Sequence, residues 1–226
     1  MSVRSVNWPM RLRLSAFVFM FSFGQLLAAQ QSATVQVEFT NSRLTPSHWK
    51  LALNPDGSGQ FDADGGQPTA ADQNQLLVKE VHRPIQLSPE FTGEVFSVAR
   101  DRKLFNFPCE SHMKVAFQGT KRFSYSGPEG SGACEFNYSK DKRIQQLSDS
   151  FMAVENTLII GARLEKLLQH DRLGIDREME NLATSAHDHS SIELGTIRET
   201  LTTIATDEQV LERARRKARL LLEQAH

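Results

Sequence analysis

The sequence is poor in the patterns that announce a chemistry. No G-x-S-x-G elbow, H-E-x-x-H pair or G-K-[ST] phosphate loop occurs in its 226 residues. The hydrolase, zinc-protease and nucleotide-binding signatures carried by those patterns are therefore missing. DGSG and EGSG do not have the elbow's spacing. No charge of one sign dominates, since 26 basic residues face 27 acidic ones. A whole-chain field that would draw in nucleic acid or anionic lipid is absent. There is no internal repeat and no low-complexity tract. Cysteine is scarce: Cys109 and Cys134 stand alone, with no second cysteine close to either.

Long apolar runs are equally scarce, with one exception at the start. Arg4, Arg11 and Arg13 precede Leu14 to Ala29 (LSAFVFMFSFGQLLAA), which ends in the small pair Ala28-Ala29. A basic lead, an apolar run and small residues at the end predict an export signal over 1–29, cleaved near Ala29. At about 16 residues the run is shorter than the roughly 20 a spanning helix needs. No cysteine follows it, so a lipid anchor is not expected. Cleavage leaves about 197 residues with a net charge of about −4. The expected address is periplasmic, cell-surface or extracellular. An oxidising compartment favours pairing of a lone pair of thiols, which predicts a Cys109–Cys134 disulfide. Closing a loop of about 25 residues is worth roughly 3–4 kcal/mol in the chain-entropy account.

Two rhythms divide the rest. Across 34–139 the apolar residues alternate. Val35, Val37 and Phe39 share a side, as do Trp49, Leu51 and Leu53; Met113, Val115 and Phe117; Phe123 and Tyr125; and Cys134, Phe136 and Tyr138. Period two predicts strands with one buried and one wet face, the habit of antiparallel sheets. LLVKEVHRPIQL (76–87) reads as a further strand. Gln118-Gly119-Thr120 suits a tight hairpin turn and GPEGSG (127–132) a looser connection. Ser88-Pro89-Glu90 predicts a capped helix start, with Phe91, Val95 and Val98 on one stripe.

From Lys140 the spacing becomes three and four: Ile144, Leu147, Phe151, Val154, Leu158. This predicts an amphipathic helix continuing towards Arg172, with Gly174 as its stop. At about 45 Å it exceeds what a small sheet can cover, so its far end needs another partner. Met179, Leu182 and Ala186 suit a second helix, and Ile197, Leu201 and Ile204 a third. Thr206 to Gln209 reads as a capping box for a fourth. The expected fold is α+β: an antiparallel sheet of about five to seven strands with one packed helix over 30–139, followed by an all-helical region over 140–226.

The best candidate for a chemical site is LNPDGSGQFDADGG (53–66). Counted from Asn54, Asp56, Ser58, Gly59 and Asp62 fall where a helix–loop–helix calcium site wants them. The closing bidentate acid is missing, because Gly65 stands there and Asp64 comes one position early. The approach also alternates like a strand. A turn between strands accounts for the same residues, with Asp56, Asp62 and Asp64 kept as calcium candidates. His187 and His189, with Asp188 between them, could ligate a transition metal from a loop. Two His at i and i+2 do not share a helical face, and no third ligand is evident beyond His170-Asp171. Arg213, Arg215, Arg216, Lys217 and Arg219 form a basic run that suits a solvated helix face or an interaction surface.

Together these features point to an exported, non-catalytic interaction or structural module. Its expected partner is a protein or a second copy, with peripheral membrane contact as a further option and no role for nucleic acid. The order of strands and helix loosely resembles that of small secreted protease inhibitors, which implies an inhibitor-like or ligand-binding module with GPEGSG as the exposed loop. A calcium- or transition-metal-binding protein is the third reading. No other cofactor is expected.

Overall fold

The computed structural model describes Met1, residues 32–66 and residues 78–225. The predicted signal over 1–29 lies outside the described residues. From residue 32 onward these residues belong to one compact unit. Its first part is a six-stranded, wholly antiparallel sheet: β1 (Thr34–Thr40), β2 (His48–Leu53), β3 (Ser58–Asp64), β4 (Val81–Gln86), β5 (Thr120–Gly127) and β6 (Gly130–Phe136). In space the order is β4-β3-β2-β1-β5-β6.

The period-two pattern places one face of every strand inside. Register stacks these residues in rows across the sheet. One row runs Val81, Ala63, Trp49, Phe39, Lys121, Phe136; the next runs Arg83, Phe61, Leu51, Val37, Phe123, Cys134. Trp49 stacks on Phe39 with ring centroids 5.6 Å apart, and Phe123 meets Phe136 edge-on at 5.4 Å.

Helix α1 (Pro89–Asp101) begins as predicted. Ser88 Oγ accepts the Phe91 N–H at 3.1 Å, and Pro89 occupies the first turn, where its missing N–H costs nothing. Helix α2 (Lys142–His170) has 29 residues, about 44 Å of rise. Its first half completes the sheet's core: Phe151 lies edge-on to Phe91 at 5.4 Å and to Phe123 at 6.0 Å. Its second half contributes Ile160, Leu164 and Leu167 to a separate apolar cluster. That cluster is closed by α3 (Gly174–His187), α4 (Arg198–Thr206) and α5 (Glu212–Gln224). The far end of the long helix therefore has the partner its length demanded.

Polar contacts join the two parts. Glu193, held at φ 55°, accepts from Ser88 N and Ser88 Oγ, both at 2.7 Å, at the N-terminus of α1. A carboxylate there meets unsatisfied N–H groups and the positive end of the helix dipole. Glu165 on α2 accepts from Arg83 of β4 at 3.0 Å and from Thr200 of α4 at 2.8 Å.

Five local expectations are corrected. Residues 112–119 form no strand, because β1 and β6 occupy both edges of β5 and leave no place for another. Gln118-Gly119-Thr120 is accordingly not a hairpin turn; Gly119, at φ +118°, leads directly into β5. GPEGSG is the tight connection: Gly127 pairs with Gly130, leaving Pro128-Glu129 as a two-residue loop. Gly174 opens α3 and does not stop α2, which ends at His170, where Asp171 Oδ1 takes the N–H groups of Leu173 and Gly174. Thr206 closes α4 and caps nothing; Asp207 Oδ1 takes the Gln209 N–H at 2.8 Å, and α5 starts only at Glu212.

The close approach of α2 to the Leu194–Ile197 turn depends on Gly161. A Cβ there would lie 2.3 Å from Ile197 Cγ2. Gly161→Ala is expected to destabilise the protein by about 1–3 kcal/mol, since overpacking outweighs the gain in helix propensity. Urea unfolding measures this, and an unchanged or raised midpoint would show that the contact yields freely.

Candidate functional site

The segment left out of the sheet is the most unusual feature of the surface. It is tied down at its base. The Cys109–Cys134 disulfide, with Cα atoms 5.8 Å apart, joins it to β6. Next to it Glu110 bridges to Ser139, and Ser111 N donates to Tyr138 O at 2.9 Å. Glu110 Oε2 accepts the Asn137 N–H at 2.6 Å, and this bond is the main cause holding its carboxyl below the usual range.

Asn137 is the hub. Its Oδ1 accepts the Gln118 N–H at 2.8 Å and its Nδ2 donates to Ala116 O at 3.2 Å, so one side chain grips the loop on both sides of Phe117. Its backbone carbonyl accepts from Lys121 Nζ at 2.9 Å. Lys121 occupies an inward position of β5 and is only 5% exposed. Burial pushes its pKa down, against the pull of Asp149 and Glu110. From the other side, Asn41 Nδ2 donates to Gln118 O at 3.3 Å.

Beyond this clamp the loop projects. Met113 is 51% exposed, Val115 40% and Phe117 53%. Leu44, in the β1–β2 connection at the same end of the sheet, is 45% exposed. Neither 41–47 nor 111–119 contains an acidic residue, while Arg43 and Lys114 supply positive charge. The alternation Met113–Val115–Phe117 was legible in the sequence. Its exposure was not, because the same pattern describes a buried strand.

The calcium candidates do not converge. Asp56 sits in the β2–β3 hairpin turn, where it accepts from Ser58 N at 3.0 Å and Ser58 Oγ at 2.6 Å; the side-chain bond is the main cause lowering its pKa. Asp62 and Asp64 lie further up β3 on the outer face. Asp62 contacts His82 at 2.9 Å, and this bond lowers its pKa; Asp64 faces His48 at 3.8 Å. His187 at the end of α3 contacts Asp188 at 2.9 Å. His189, at φ 57°, lines a recess of about 300 Å³ together with Ser88, Glu90, Glu193 and Gln224. Among the described residues no three His, Cys, Asp or Glu side chains are grouped to hold a metal ion.

The basic run of α5 is largely consumed within the molecule. Arg213 pairs with Asp176 at 2.8 Å, Arg215 and Arg219 with Glu212 at 2.6 Å each, and Lys217 with Asp176 and Glu180. The serines beside the recess are engaged too: Ser88 with Glu193, and Ser191 with Asn156 and Ser185.

One ionisable group stands apart. Glu155 lies on the stripe of α2 that carries Phe151 and Ile159 and is half-buried there. Burial pushes its carboxyl up to about 7, with Arg163 pulling the other way.

No protein-family profile matches the chain, and no curated protein matches it in sequence.

Two outcomes test this description. Asn137→Ala is expected to speed amide exchange across 111–118 at least tenfold, with the strands unaffected; exchange that stays slow there would remove Asn137 as the clamp. For Glu155, the folded chain keeps a proton between the ordinary 4.5 and about 7 that the unfolded chain has released, so stability falls as pH rises through that window. The full linkage is on the order of 3 kcal/mol, reduced to about 1–2 kcal/mol by partial exposure. Glu155→Gln is expected to exceed the parent chain in stability by that amount at pH 8 and to lose the advantage below about pH 4.5, as read by urea unfolding at both values.

Proposed function

We propose that the chain is an exported, non-catalytic interaction module that docks through the end of its sheet carrying Leu44, Met113, Val115 and Phe117. The observation that carries this reading is the clamped loop. A disulfide, a backbone bridge and the two-sided grip of Asn137 converge on a segment whose apolar side chains then face water. Three exposed apolar residues on one short segment cost solubility unless something covers them. Pre-ordering the segment lowers the entropy lost on docking. The export signal read in 1–29 and the oxidised cysteine pair are consistent with work outside the cytosol.

Site-specific photo-crosslinking separates docking from chance exposure. A photoreactive residue at position 117 in the producing cell is expected to give a discrete adduct, and the same residue at exposed Leu220 of α5 none. Equal labelling at both positions, or none at 117, would overturn the reading.

A second reading draws on the same clamp. Hydrogen bonds to Ala116 O and Gln118 N bracket Phe117 and hold it as a rigid prong, the arrangement an inhibitor offers a protease with an apolar pocket. The loop in question is then 112–118 and not the tight GPEGSG turn. Incubation with proteases of chymotrypsin-like specificity is expected to give inhibition that Phe117→Ala abolishes; ready cleavage without inhibition excludes it.

A further inference from the structure

We propose that the partner at this docking end is an anionic phospholipid surface, into which Leu44, Met113, Val115 and Phe117 dip while Arg43 and Lys114 meet the headgroups. The inference rests on the docking role proposed above and adds the chemistry of the partner.

The first ground is charge. Arg43, Lys114 and Lys140 are exposed around the apolar side chains, and neither 41–47 nor 111–119 holds an acid. Glu110, at the base of the loop, is turned inward: its Oε1 takes the His112 N–H and the Ser111 hydroxyl, and its Oε2 the Asn137 N–H. Asp64, at the same end of the sheet, faces His48 at 3.8 Å, and at the β4 side Lys79 and Glu80 offset one another. A positive rim around exposed apolar residues is the complement of an anionic bilayer. A few inserted side chains or a few cations alone give marginal attachment, and the two together add. The whole chain carries no strong field, so the attraction is local, and binding is expected to be weak and sensitive to salt.

The second ground is the backbone. His112 sits at φ 53° and the loop is no strand. Its donors are turned to the protein: Ser111 N to Tyr138 O at 2.9 Å, His112 N to Glu110 Oε1 at 3.2 Å, Met113 N to Ser111 Oγ at 3.1 Å, Val115 N to Met113 O at 2.9 Å and Gln118 N to Asn137 Oδ1 at 2.8 Å. A loop bonded in this way has few donors left for a partner strand and presents side chains instead. Satisfied N–H groups also lower the cost of entering a layer poor in water.

The third ground is that two apolar segments share one support. Asn41 closes the turn that carries Leu44, its N–H donating to Ser47 O at 2.7 Å and its carbonyl accepting Leu44 N at 3.0 Å. Its side chain also holds Gln118 O, so the turn and the loop are fixed to each other at one end of the sheet.

Flotation with lipid vesicles tests the partner directly. Vesicles of equal parts phosphatidylglycerol and phosphatidylethanolamine are expected to carry the chain upward, and vesicles of phosphatidylcholine to leave most of it behind. On the anionic vesicles Phe117→Asp is expected to weaken binding about tenfold and Lys114→Glu about fivefold, with Leu220→Asp on α5 unchanged. Phe117→Trp supplies a second measure: its emission is expected to shift to the blue on the same vesicles and to be quenched by acyl-brominated lipid, over a constant background from buried Trp49. Emission that vesicles leave unmoved, or binding that Phe117→Asp and Lys114→Glu leave intact, overturns the lipid surface. If position 117 then still crosslinks a protein in the producing cell, the docking role survives and only the lipid falls. If it gives no adduct either, both fall.

Discussion

A sheet with one apolar face must be covered, and here one long helix does most of the covering. Helix α2 lies against β5 and α1 through Phe151, yet its 29 residues outrun the strands beneath it. Burying that remainder requires a second apolar cluster, and α3, α4 and α5 supply it around Ile160, Leu164 and Leu167. Two cores thus share one rigid element. The carboxylates of Glu165 and Glu193 span the same junction, one on Arg83 and Thr200, the other on the start of α1. The helical region is the structural consequence of a helix too long for its sheet.

The same economy of edges shapes the surface. At one side of the sheet β4 carries Pro84, which lacks an N–H, a device that discourages strand addition. Between β1 and β6, β5 has no edge to offer. A segment with the alternation of a strand is therefore excluded from the ladder and held outside it by Cys109, Glu110 and Asn137. Its apolar residues meet water because both edges of β5, the strand it leads into, are already taken. Buried Lys121, reaching from the inner face to Asn137 O, ties the clamp to the core.

Much of this was legible from residue order. The inner positions of β1, β2 and β5, the cap at Ser88, the cysteine pair and the stripe of α2 follow from period, capping chemistry and the presence of just two thiols. Local errors came where one motif serves two ends. Gly174 and Thr206 carry signals that fit either side of a boundary, and the Asp side chains at 171 and 207 took the N–H groups that decide the matter. The candidate metal ligands were read from spacing alone, while the hairpin sends Asp56 to one end of β3 and Asp62 and Asp64 towards the other.

Met113, Val115 and Phe117 mark the division most clearly. The sequence by itself determined that these three share a side, since alternation is a property of neighbouring residues. It determined equally that sheet rhythm from residue 34 gives way to helix rhythm after Lys140. Whether the shared side faces core or solvent was decided only by tertiary structure, because a run is buried only where the fold pairs it into the sheet with its apolar side over the core. Pairing partners belong to the assembled sheet, and no local run of residues records which of them are already taken.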